Sequence, residues 1–312
     1  MKKDENIVVL SRVKELYDHL GVVAKNLDDK SEFSIYNLGN FQLKLPYVSP
    51  LFRTDFFSFV FVKNSTGTSF SDQYTFNIEP GTIYFNNPGY IKHVILNDVK
   101  DLYLATLSES FLKENVHADI FEEFPFLLAE NVTPKVLNKE QFSEFEMLYQ
   151  QVMKEYDSES PYRNKLIGYL FVVILIKIKE YFWNDYDPIR EGTRGSLIVK
   201  SFKAMLEKHY RNLSKGIADR VFRVNEYAEA LHLHPNYLNA VIKAKTGKPV
   251  GAWIAEKTIA EAKSLLRNSD ISIKEIAHRL GFVESPHFSN YFKKHAAVSP
   301  VLYRREHQFS AP

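Results

Sequence analysis

Residues 224–253 read VNEYAEALHLHPNYLNAVIKAKTGKPVGAW, and residues 273–304 read IKEIAHRLGFVESPHFSNYFKKHAAVSPVLYR. The second stretch repeats the first about 50 residues later, with one extra residue in its predicted turn. The matched positions are Ala228 and Ala277, Leu231 and Leu280, Leu238 and Phe288, Lys243 and Lys293, and Trp253 and Tyr303. A small residue suits a close helix crossing, and the large apolar positions fix the crossing angle near the ~90–120° of a helix-turn-helix. The repeat therefore predicts two helix-turn-helix motifs, an arrangement suited to reading duplex DNA.

The second stretch also resembles the AraC/XylS family of transcription regulators. The positions that carry the resemblance are Ile276, Ala277, Leu280, Gly281, Phe282, Ser285, Phe288, Ser289, Phe292, Lys293, Lys294, Ser299, Pro300, Tyr303 and Arg304. The resemblance covers residues 196–308 and implies a DNA-binding domain there. One departure is Ala297, where the family usually has Gly, while Gly247 keeps the Gly in the first stretch. If the backbone at Ala297 is left-handed, Ala costs roughly 1 kcal/mol, and we expect a local adjustment without loss of the fold.

The net charge of +2 is unevenly distributed along the chain. Residues 196–312 contain 19 Lys and Arg against 10 Asp and Glu, whereas residues 1–195 contain 21 against 28. A basic C-terminal third is expected where one domain binds phosphates and the other does not, although a chance distribution of solvated charge is the alternative. Cysteine is absent, which excludes a disulfide framework, a zinc ribbon and a thiolate nucleophile.

The 312 residues exceed the usual size of a single core and predict two domains. Residues 7–20 have helical spacing that Gly21 would end. Between residues 33 and 107 the sequence changes to short β-rich runs: FSIY, FQLKL, DFFSFVFVK, QYTFNI, TIYF, KHVIL and LYLATL. Turn signals separate them at residues 37–40, 65–67, 80–81 and 87–89, a spacing typical of a small antiparallel barrel or sandwich. The family resemblance favours a cupin-like barrel.

Amphipathic helices are predicted at residues 139–156 and 165–182. The second contains an uncharged apolar stretch at 166–176, which either packs on the barrel or forms a helix–helix dimer seam. Residues 184–195 are polar, include Pro188 and Gly192, and predict an interdomain linker. The fold prediction is therefore α+β: a cupin-like sensor and dimerisation domain with C-terminal helices at 1–183, a linker at 184–195, and an all-α double helix-turn-helix domain at 196–312.

The predicted barrel contains one histidine, His93, whereas a catalytic cupin metal requires several His and a carboxylate. We therefore expect no metal, no cofactor and no catalytic residues. A barrel mouth lined by aromatic side chains would suit a small apolar or amphipathic effector, with a cation as its anion partner. The candidate effector-binding residues are Arg53, Phe57, Phe59, Tyr74 and Tyr84, although most of the aromatics in this region would be ordinary core.

DNA contacts are predicted on the second helix of each motif. In the first motif, Leu238, Val241 and Ile242 must face inward, which leaves outward Asn236, Asn239, Ala240 and Lys243. In the second, Phe288, Tyr291 and Phe292 face inward, which leaves outward Ser285, His287, Ser289, Asn290, Lys293 and Lys294. Asn can pair bidentately with adenine, and Lys suits phosphate. An ordinary solvated helix face is the alternative for any one of them.

These features predict a sequence-specific DNA-binding transcription regulator whose N-terminal barrel senses an effector. The candidate partners are double-stranded DNA, a small-molecule effector, RNA polymerase and a second copy of the chain. No apolar run reaches the ~20 residues of a membrane span, and the charged N-terminus has too short an apolar run for a signal peptide, so we expect a cytoplasmic protein without a membrane partner. The alternatives are a cupin-type enzyme and a non-specific architectural DNA-binding protein; alkyl-transfer repair would need a Cys acceptor.

Overall fold

The computed structural model describes residues 7–71, 74–116, 120–128, 134–183 and 194–307. The chain divides into two compact units. Unit 1 comprises Met1–Phe111 with Ala129–Tyr186, and unit 2 comprises Leu112–Leu128 with Asp187–Pro312. The predicted division differs from these units at residues 112–128, which it placed in the N-terminal domain. Residues 184–193 of the predicted linker lie outside the described residues, and the helix that follows begins at Arg194.

In the described part of unit 1, nine strands form one sheet that packs with helices. Its strands are β1 (Val8–Leu10), β2 (Phe33–Asn37), β3 (Tyr47–Val48), β4 (Phe52–Thr54), β5 (Phe57–Ser71), β6 (Tyr74–Ile78), β7 (Thr82–Asn86), β8 (Lys92–Leu107) and β9 (Lys135–Val136). The strand order is β1-β4-β8-β5-β7-β9, with β2 and β3 also paired to β8 and β6 paired to β5. The pairs are antiparallel except for β1 with β4, which is parallel.

The two long strands β5 and β8 replace three predicted runs, DFFSFVFVK, KHVIL and LYLATL. β5 and β8 pair along their lengths, so the predicted turn at residues 65–67 and the break between KHVIL and LYLATL are both wrong. Register shifts near Asn64 and Gly67 show that the turn residues form irregularities within the ladder. A Cβ added at Gly67 would lie 2.2 Å from the Ile95 carbonyl oxygen, so Gly is required there by the close approach of two backbones.

Two further predictions in unit 1 require correction. The predicted helix at residues 7–20 is a strand, β1, followed by a shorter helix, α1 (Val13–His19). Parallel pairing of β1 with β4 accounts for the extended start of this segment, which its helical spacing did not reveal. The predicted strand FQLKL is not a strand. Gly81 and Gly89 lie at predicted turns and have φ values of 77° and 96°, and Gly21, which is expected to end a helix, has a φ of 71°.

The two faces of the sheet have separate cores. Side chains including Val60, Val62, Tyr84 and Leu104 pack with α1 in one apolar cluster. On the other face lie α4 (Lys139–Tyr156) and α5 (Arg163–Phe182), which confirm the two predicted amphipathic helices. None of the described helices is long and apolar enough to cross a membrane.

Unit 2 contains two helix pairs that follow the sequence repeat. Its early residues include the end of α2 (Glu109–Asn115), α3 (Ile120–Glu123) and a 3-10 turn at Pro125–Leu128. The later helices are α6 (Arg194–Ser214), α7 (Val224–Ala230), α8 (Pro235–Thr246), α9 (Val250–Asn268), α10 (Ile273–Arg279), α11 (Ser285–Ala296) and α12 (Pro300–His307). The first pair is α7 with α8, the second is α10 with α11, and α9 joins them.

Candidate nucleic-acid interface and effector cavity

The first helix pair is held by the apolar positions that the repeat identified. Ala228, Leu238 and Ile242 have no exposed surface, and the short Ala side chain permits the close crossing of α7 and α8. Pro235 stands in the first turn of α8, where its missing N–H is not needed. The His234 side chain caps this helix, its Nδ1 accepting a hydrogen bond from the Asn236 N–H at 3.3 Å.

The second pair repeats this construction with aromatic residues. Phe288 and Phe292 of α11 are fully buried, and their ring centroids are 5.9 Å apart. They belong to a cluster with Ala277 of α10 and Tyr303 of α12. Both α8 and α11 end on a residue in the left-handed region, Gly247 at φ 80° and Ala297 at φ 62°. Ala297 therefore adopts the left-handed conformation itself, and its N–H still donates a hydrogen bond to the Lys293 carbonyl oxygen at the end of α11.

The predicted DNA-contacting residues fall into two groups by exposure. Those that are exposed are Asn236, Ala240, Lys243, His287, Asn290, Lys293 and Lys294. Those that are half-buried are Asn239, Ser285 and Ser289. The exposed members form one polar face on each helix, opposite the buried Leu238 and Phe288 positions. These faces are available to a nucleic acid, whereas the half-buried residues lie at their edges.

Asn239 has a structural role that the sequence did not reveal. Its Oδ1 accepts a hydrogen bond from the Val250 N–H at 3.0 Å, satisfying a backbone donor in the first turn of α9. Because Leu238 aligns with Phe288, Asn239 aligns with the half-buried Ser289 and not with Asn290. Ala240 is the partner of Asn290 in the repeat. Asn239 and Asn290 therefore do not occupy equivalent positions for base contact. Replacing Asn239 would also disturb the start of α9.

Tyr237 is an outward residue that the sequence reasoning missed. Its side chain is 44% exposed on the polar face of α8. The repeat could have identified it, because the offset that pairs Leu238 with Phe288 also pairs Tyr237 with the predicted His287. An exposed aromatic ring with a hydroxyl can both stack and form hydrogen bonds, so Tyr237 joins Asn236 as a candidate for base contact.

Positive charge is concentrated in the last turn of each outward helix. These basic residues are Lys243 and Lys245 in α8 and Lys293, Lys294 and His295 in α11. The ends of the two helices therefore provide cationic side chains suited to phosphate oxygens.

The first pair is also anchored by His209 of α6, which is 5% exposed. Its ring stacks on Phe222 with centroids 3.7 Å apart, and its Nε2 lies 3.0 Å from the Arg220 carbonyl oxygen and 3.1 Å from the Phe222 backbone nitrogen. Burial lowers the pKa of His209 below its ordinary value of 6.5. The neutral imidazole thus holds the loop that leads into α7.

A cavity of about 80 Å³ lies in unit 1. Its lining includes the polar side chains of Ser58, Asn86 and Lys92 beside Tyr84 and Leu104. The Lys92 ammonium, 4% exposed, donates a hydrogen bond to the Thr54 hydroxyl at 3.0 Å. Burial raises the pKa of Tyr84.

The structure corrects the predicted lining of this cavity. Of the five candidate effector-binding residues, Tyr84 lines it, whereas Arg53, Phe57, Phe59 and Tyr74 are not among its lining residues. Phe59 instead packs edge-to-face against Phe171 of α5, with ring centroids 4.9 Å apart. Phe57 is two residues from Phe59 on β5, so its side chain lies on the same face of the sheet. Arg53 is buried, and Tyr74 is half exposed. The alternation of β5 places Ser58 and Val60 at the cavity and its odd-numbered aromatics on the opposite face.

A second, larger cavity of about 790 Å³ lies within unit 2. One wall is formed by Phe121, Pro125 and Leu128, and another by α6, including Lys200, Met205 and Lys208. Its volume is in the range of small-molecule sites, which the smaller cavity is not. Within the residues that the structure describes, no group of three or more His, Cys, Asp or Glu side chains is arranged to hold a metal.

Comparison with known proteins places this geometry in context. Residues 227–306 match the helix-turn-helix domain family. An Escherichia coli protein, the uncharacterized HTH-type transcriptional regulator YijO, is 34% identical over 119 residues, which are 38% of this chain and 39% of YijO. The HTH-type transcriptional activator RhaS of Mannheimia succiniciproducens is 22% identical over 81% of this chain and 88% of RhaS. The C-terminal domain of AraT, a response regulator from Geobacillus stearothermophilus, is 30% identical over 38% of this chain and 92% of that structure, with a TM-score of 0.33.

The chain spans only part of several curated relatives. It covers 39% of YijO, 14% of YtdP and 55% of YobQ, the latter two HTH-type regulators from Bacillus subtilis. These three alignments cover 33–39% of this chain. The similarity to them therefore covers about a third of the chain.

Proposed function

We propose that this chain, which contains an AraC-type helix-turn-helix domain, is a sequence-specific DNA-binding transcription regulator. The observation that carries the proposal is the repeated helix pair. Each copy buries its apolar positions and exposes a polar helix face that ends in lysines. A single basic helix would suit non-specific binding, whereas two matched faces suit a bipartite DNA site.

In this proposal both pairs act as helix-turn-helix motifs, with α8 and α11 as their recognition helices. The exposed side chains of Asn236, Tyr237, His287 and Asn290 would contact base edges in the major groove. The lysines near the helix ends would hold phosphates and contribute no sequence preference. α9, with 19 residues, is roughly 28 Å long and links the two motifs, which is compatible with successive major grooves on one face of the duplex.

A competition experiment tests the function directly. Duplexes selected from a random-sequence library by the full chain would be challenged with scrambled duplex of equal length. A specific regulator keeps its selected duplex, with a preference of 10³-fold or more as an order of magnitude. An architectural protein would lose most of its binding to the scrambled competitor, which would contradict the proposal and favour that alternative.

The proposal includes a cupin-like sensor in unit 1 that binds a small effector. The support is the cavity beside Lys92, whose buried cation and neighbouring polar side chains suit a ligand of a few atoms. The larger cavity lined by Phe121 and Met205 is the alternative location. A ligand that binds the folded state alone raises its stability by RT ln(1 + [L]/Kd), about 2.7 kcal/mol at a hundredfold excess over Kd.

A metabolite screen by thermal shift distinguishes the two locations. A shift lost in Lys92→Met and kept in Lys208→Met places the ligand in unit 1, and the opposite result places it in unit 2. A broad screen without a shift for the wild-type chain would contradict the small effector and favour a protein partner. RNA polymerase is a further partner under this proposal, and transcription with purified polymerase on a template that carries the selected site tests it.

A second copy of the chain is the remaining proposed partner. α5 exposes Leu166, Tyr169, Val173 and Ile176, which are 41%, 52%, 40% and 44% exposed. Their spacing of three, four and three residues is that of a coiled-coil seam. Because the opposite face of α5 is buried against the sheet through Phe171 and its neighbours, this stripe is the surface proposed to pair with the same stripe of another copy.

A further inference from the structure

The described residues 112–116 and 120–128, called here the brace segment, form an integral part of the unit that carries both helix pairs. In the chain they precede α4 and α5, yet their apolar side chains pack within unit 2. The buried members are Leu112, Ile120, Phe121, Phe124, Phe126 and Leu127, none more than 4% exposed. The DNA-binding unit therefore has a core that its own contiguous sequence does not complete.

A buried charge cluster joins the brace segment to α6 and α9. The Lys113 ammonium, 1% exposed, forms an ion pair with Glu261 of α9, and lies 3.6 Å from a Glu207 carboxylate oxygen of α6. Lys257 of α9 pairs with the other Glu207 oxygen. Both cations also lie over the ring of Phe121, with Lys113 Nζ 5.8 Å and Lys257 Nζ 5.0 Å from its centroid. Displacing one element would leave a buried charge without its partner, which fixes their arrangement.

A second set of contacts joins the brace segment to α9 and α12. The Glu114 carboxylate accepts a hydrogen bond from the Tyr303 hydroxyl at 2.8 Å and another from Arg267 at 3.3 Å. The Ser264 hydroxyl donates to the Lys113 carbonyl oxygen at 3.1 Å. The segment thus contacts the helix before the first pair, the helix between the pairs and the helix after the second pair.

The two pairs also approach each other at one backbone position. A Cβ added at Gly281, in the turn between α10 and α11, would lie 2.6 Å from the Arg220 Cα in the loop that leads to α7. This close backbone approach prevents the turn at Gly281 from shifting against the loop at Arg220. The separation of α8 and α11 is therefore set by contacts from several elements and not by the length of α9 alone.

We propose that the brace segment fixes the spacing of the two recognition helices, with Lys113, Glu114, Glu261 and Tyr303 as positioning residues. This inference rests on the proposed function, because it requires both α8 and α11 to enter the DNA. α9 is the covalent link between the motifs, so its orientation against α6 and α12 determines their separation. Released from the brace segment, α9 can tilt, and the protein then accepts DNA sites with altered spacing.

The test measures spacing tolerance with the full chain. Affinity is determined for the selected duplex and for the same duplex with one base pair inserted between its two halves, a change of about 3.4 Å along the axis. The ratio of the two affinities should be roughly tenfold or more for the wild-type chain. In Lys113→Met/Glu261→Met, which replaces an ion pair by apolar side chains of similar length, the ratio should fall to about threefold or less.

Two further variants keep the test decisive. Tyr303→Phe removes the hydroxyl that contacts Glu114 while keeping the ring, and should lower the ratio even if the double variant does not fold. Lys63→Met is the control, because it removes the ion pairs of Lys63 with Asp101 and Glu146 in unit 1, and should keep the wild-type ratio. If the folded variants keep the wild-type ratio of affinities for the two duplexes, the brace segment does not fix the helix spacing. A wild-type ratio near one would instead contradict the proposed use of both motifs.

Discussion

One methyl group distinguishes the C-terminal ends of α8 and α11. Gly247 and Ala297 occupy the same left-handed cap position, and only Gly adopts it without a steric cost. The family resemblance indicates this difference, because Gly is usual at the position of Ala297. The cap is intact at Ala297, so the steric cost of the methyl group should lower the free energy of unfolding of unit 2.

Exchanging these two residues should move stability in opposite directions. Ala297→Gly is expected to raise the free energy of unfolding by about 1 kcal/mol, and Gly247→Ala to lower it by a similar amount. Chemical denaturation of the full chain measures both, and DNA affinity should change little because the caps lie beyond the polar faces. A stability loss in Ala297→Gly would show that the methyl group makes a compensating contact.

Base contacts and phosphate contacts should separate at Asn290 and Lys293. Asn290→Ala should cost about 1–3 kcal/mol on the selected duplex and little on scrambled DNA, with an unchanged salt slope. Lys293→Ala should weaken both duplexes alike and reduce the slope of log K against log salt by roughly one unit. A salt titration on both duplexes measures this. Equal losses on both duplexes for Asn290→Ala would exclude it from base reading.

The sequence predicts the inward positions of the recognition helices better than the outward ones. Leu238 and Phe288 are large and apolar, so burial determines their orientation. Periodicity cannot assign a role to Asn239, because the same amide can accept a hydrogen bond from a helix N-terminus or contact a DNA base. Its contact with the Val250 N–H depends on how α8 meets α9. Tyr237 was missed because Tyr suits both core and surface.

At the scale of elements, the junction of α6 with the loop before α7 should respond to pH through His209. Its pKa in the folded state is lowered by burial, so the unfolded chain binds a proton more readily. The stabilising contribution is complete above about pH 6.5 and is lost as pH falls from there toward the folded-state pKa. Unit 2 should therefore lose stability on mild acidification.

A variant comparison isolates this contribution. Unfolding free energies measured between pH 7.5 and 5.5 should fall less steeply in His209→Gln than in the wild-type chain. His278→Gln, which alters an exposed histidine of α10, serves as the control and should keep the wild-type slope. Identical slopes for all three proteins would show that His209 does not govern the acid response.

The stripe on α5 makes a prediction about assembly. Val173→Glu places a charge in the centre of the apolar seam and should convert a dimer to a monomer at micromolar concentration, measured by sedimentation equilibrium. Val23→Glu is the matched control, since Val23 is 93% exposed outside the stripe, and it should leave the oligomeric state unchanged. A wild-type chain that sediments as a monomer at micromolar concentration contradicts the seam.

Strand boundaries show why local signals were insufficient in unit 1. The residues 65–67 have the composition of a turn, but β8 pairs across them and turns the signal into an irregularity within β5. The pairing is a long-range property that composition does not encode. Helices α4 and α5 were predicted closely because their periodicity is sustained over many residues.

At the scale of the molecule, the sequence points to most of unit 2 but not to all of its parts. The repeat and the excess of basic residues point to residues 196–312. The brace segment carries no repeat, and its contacts with α9 arise only when the chain folds. A fragment of residues 190–312, which the predicted boundary suggests, would lack Lys113 and Phe121 and leave Glu261 without its ion pair.

If α8 and α11 both read one duplex, hydroxyl-radical footprinting of the full chain on its selected duplex should show two protected patches on one face of the DNA. The centres of the patches should lie about 10 base pairs or roughly 34 Å apart. A single protected patch, or uniform protection along the duplex, would contradict joint reading by α8 and α11.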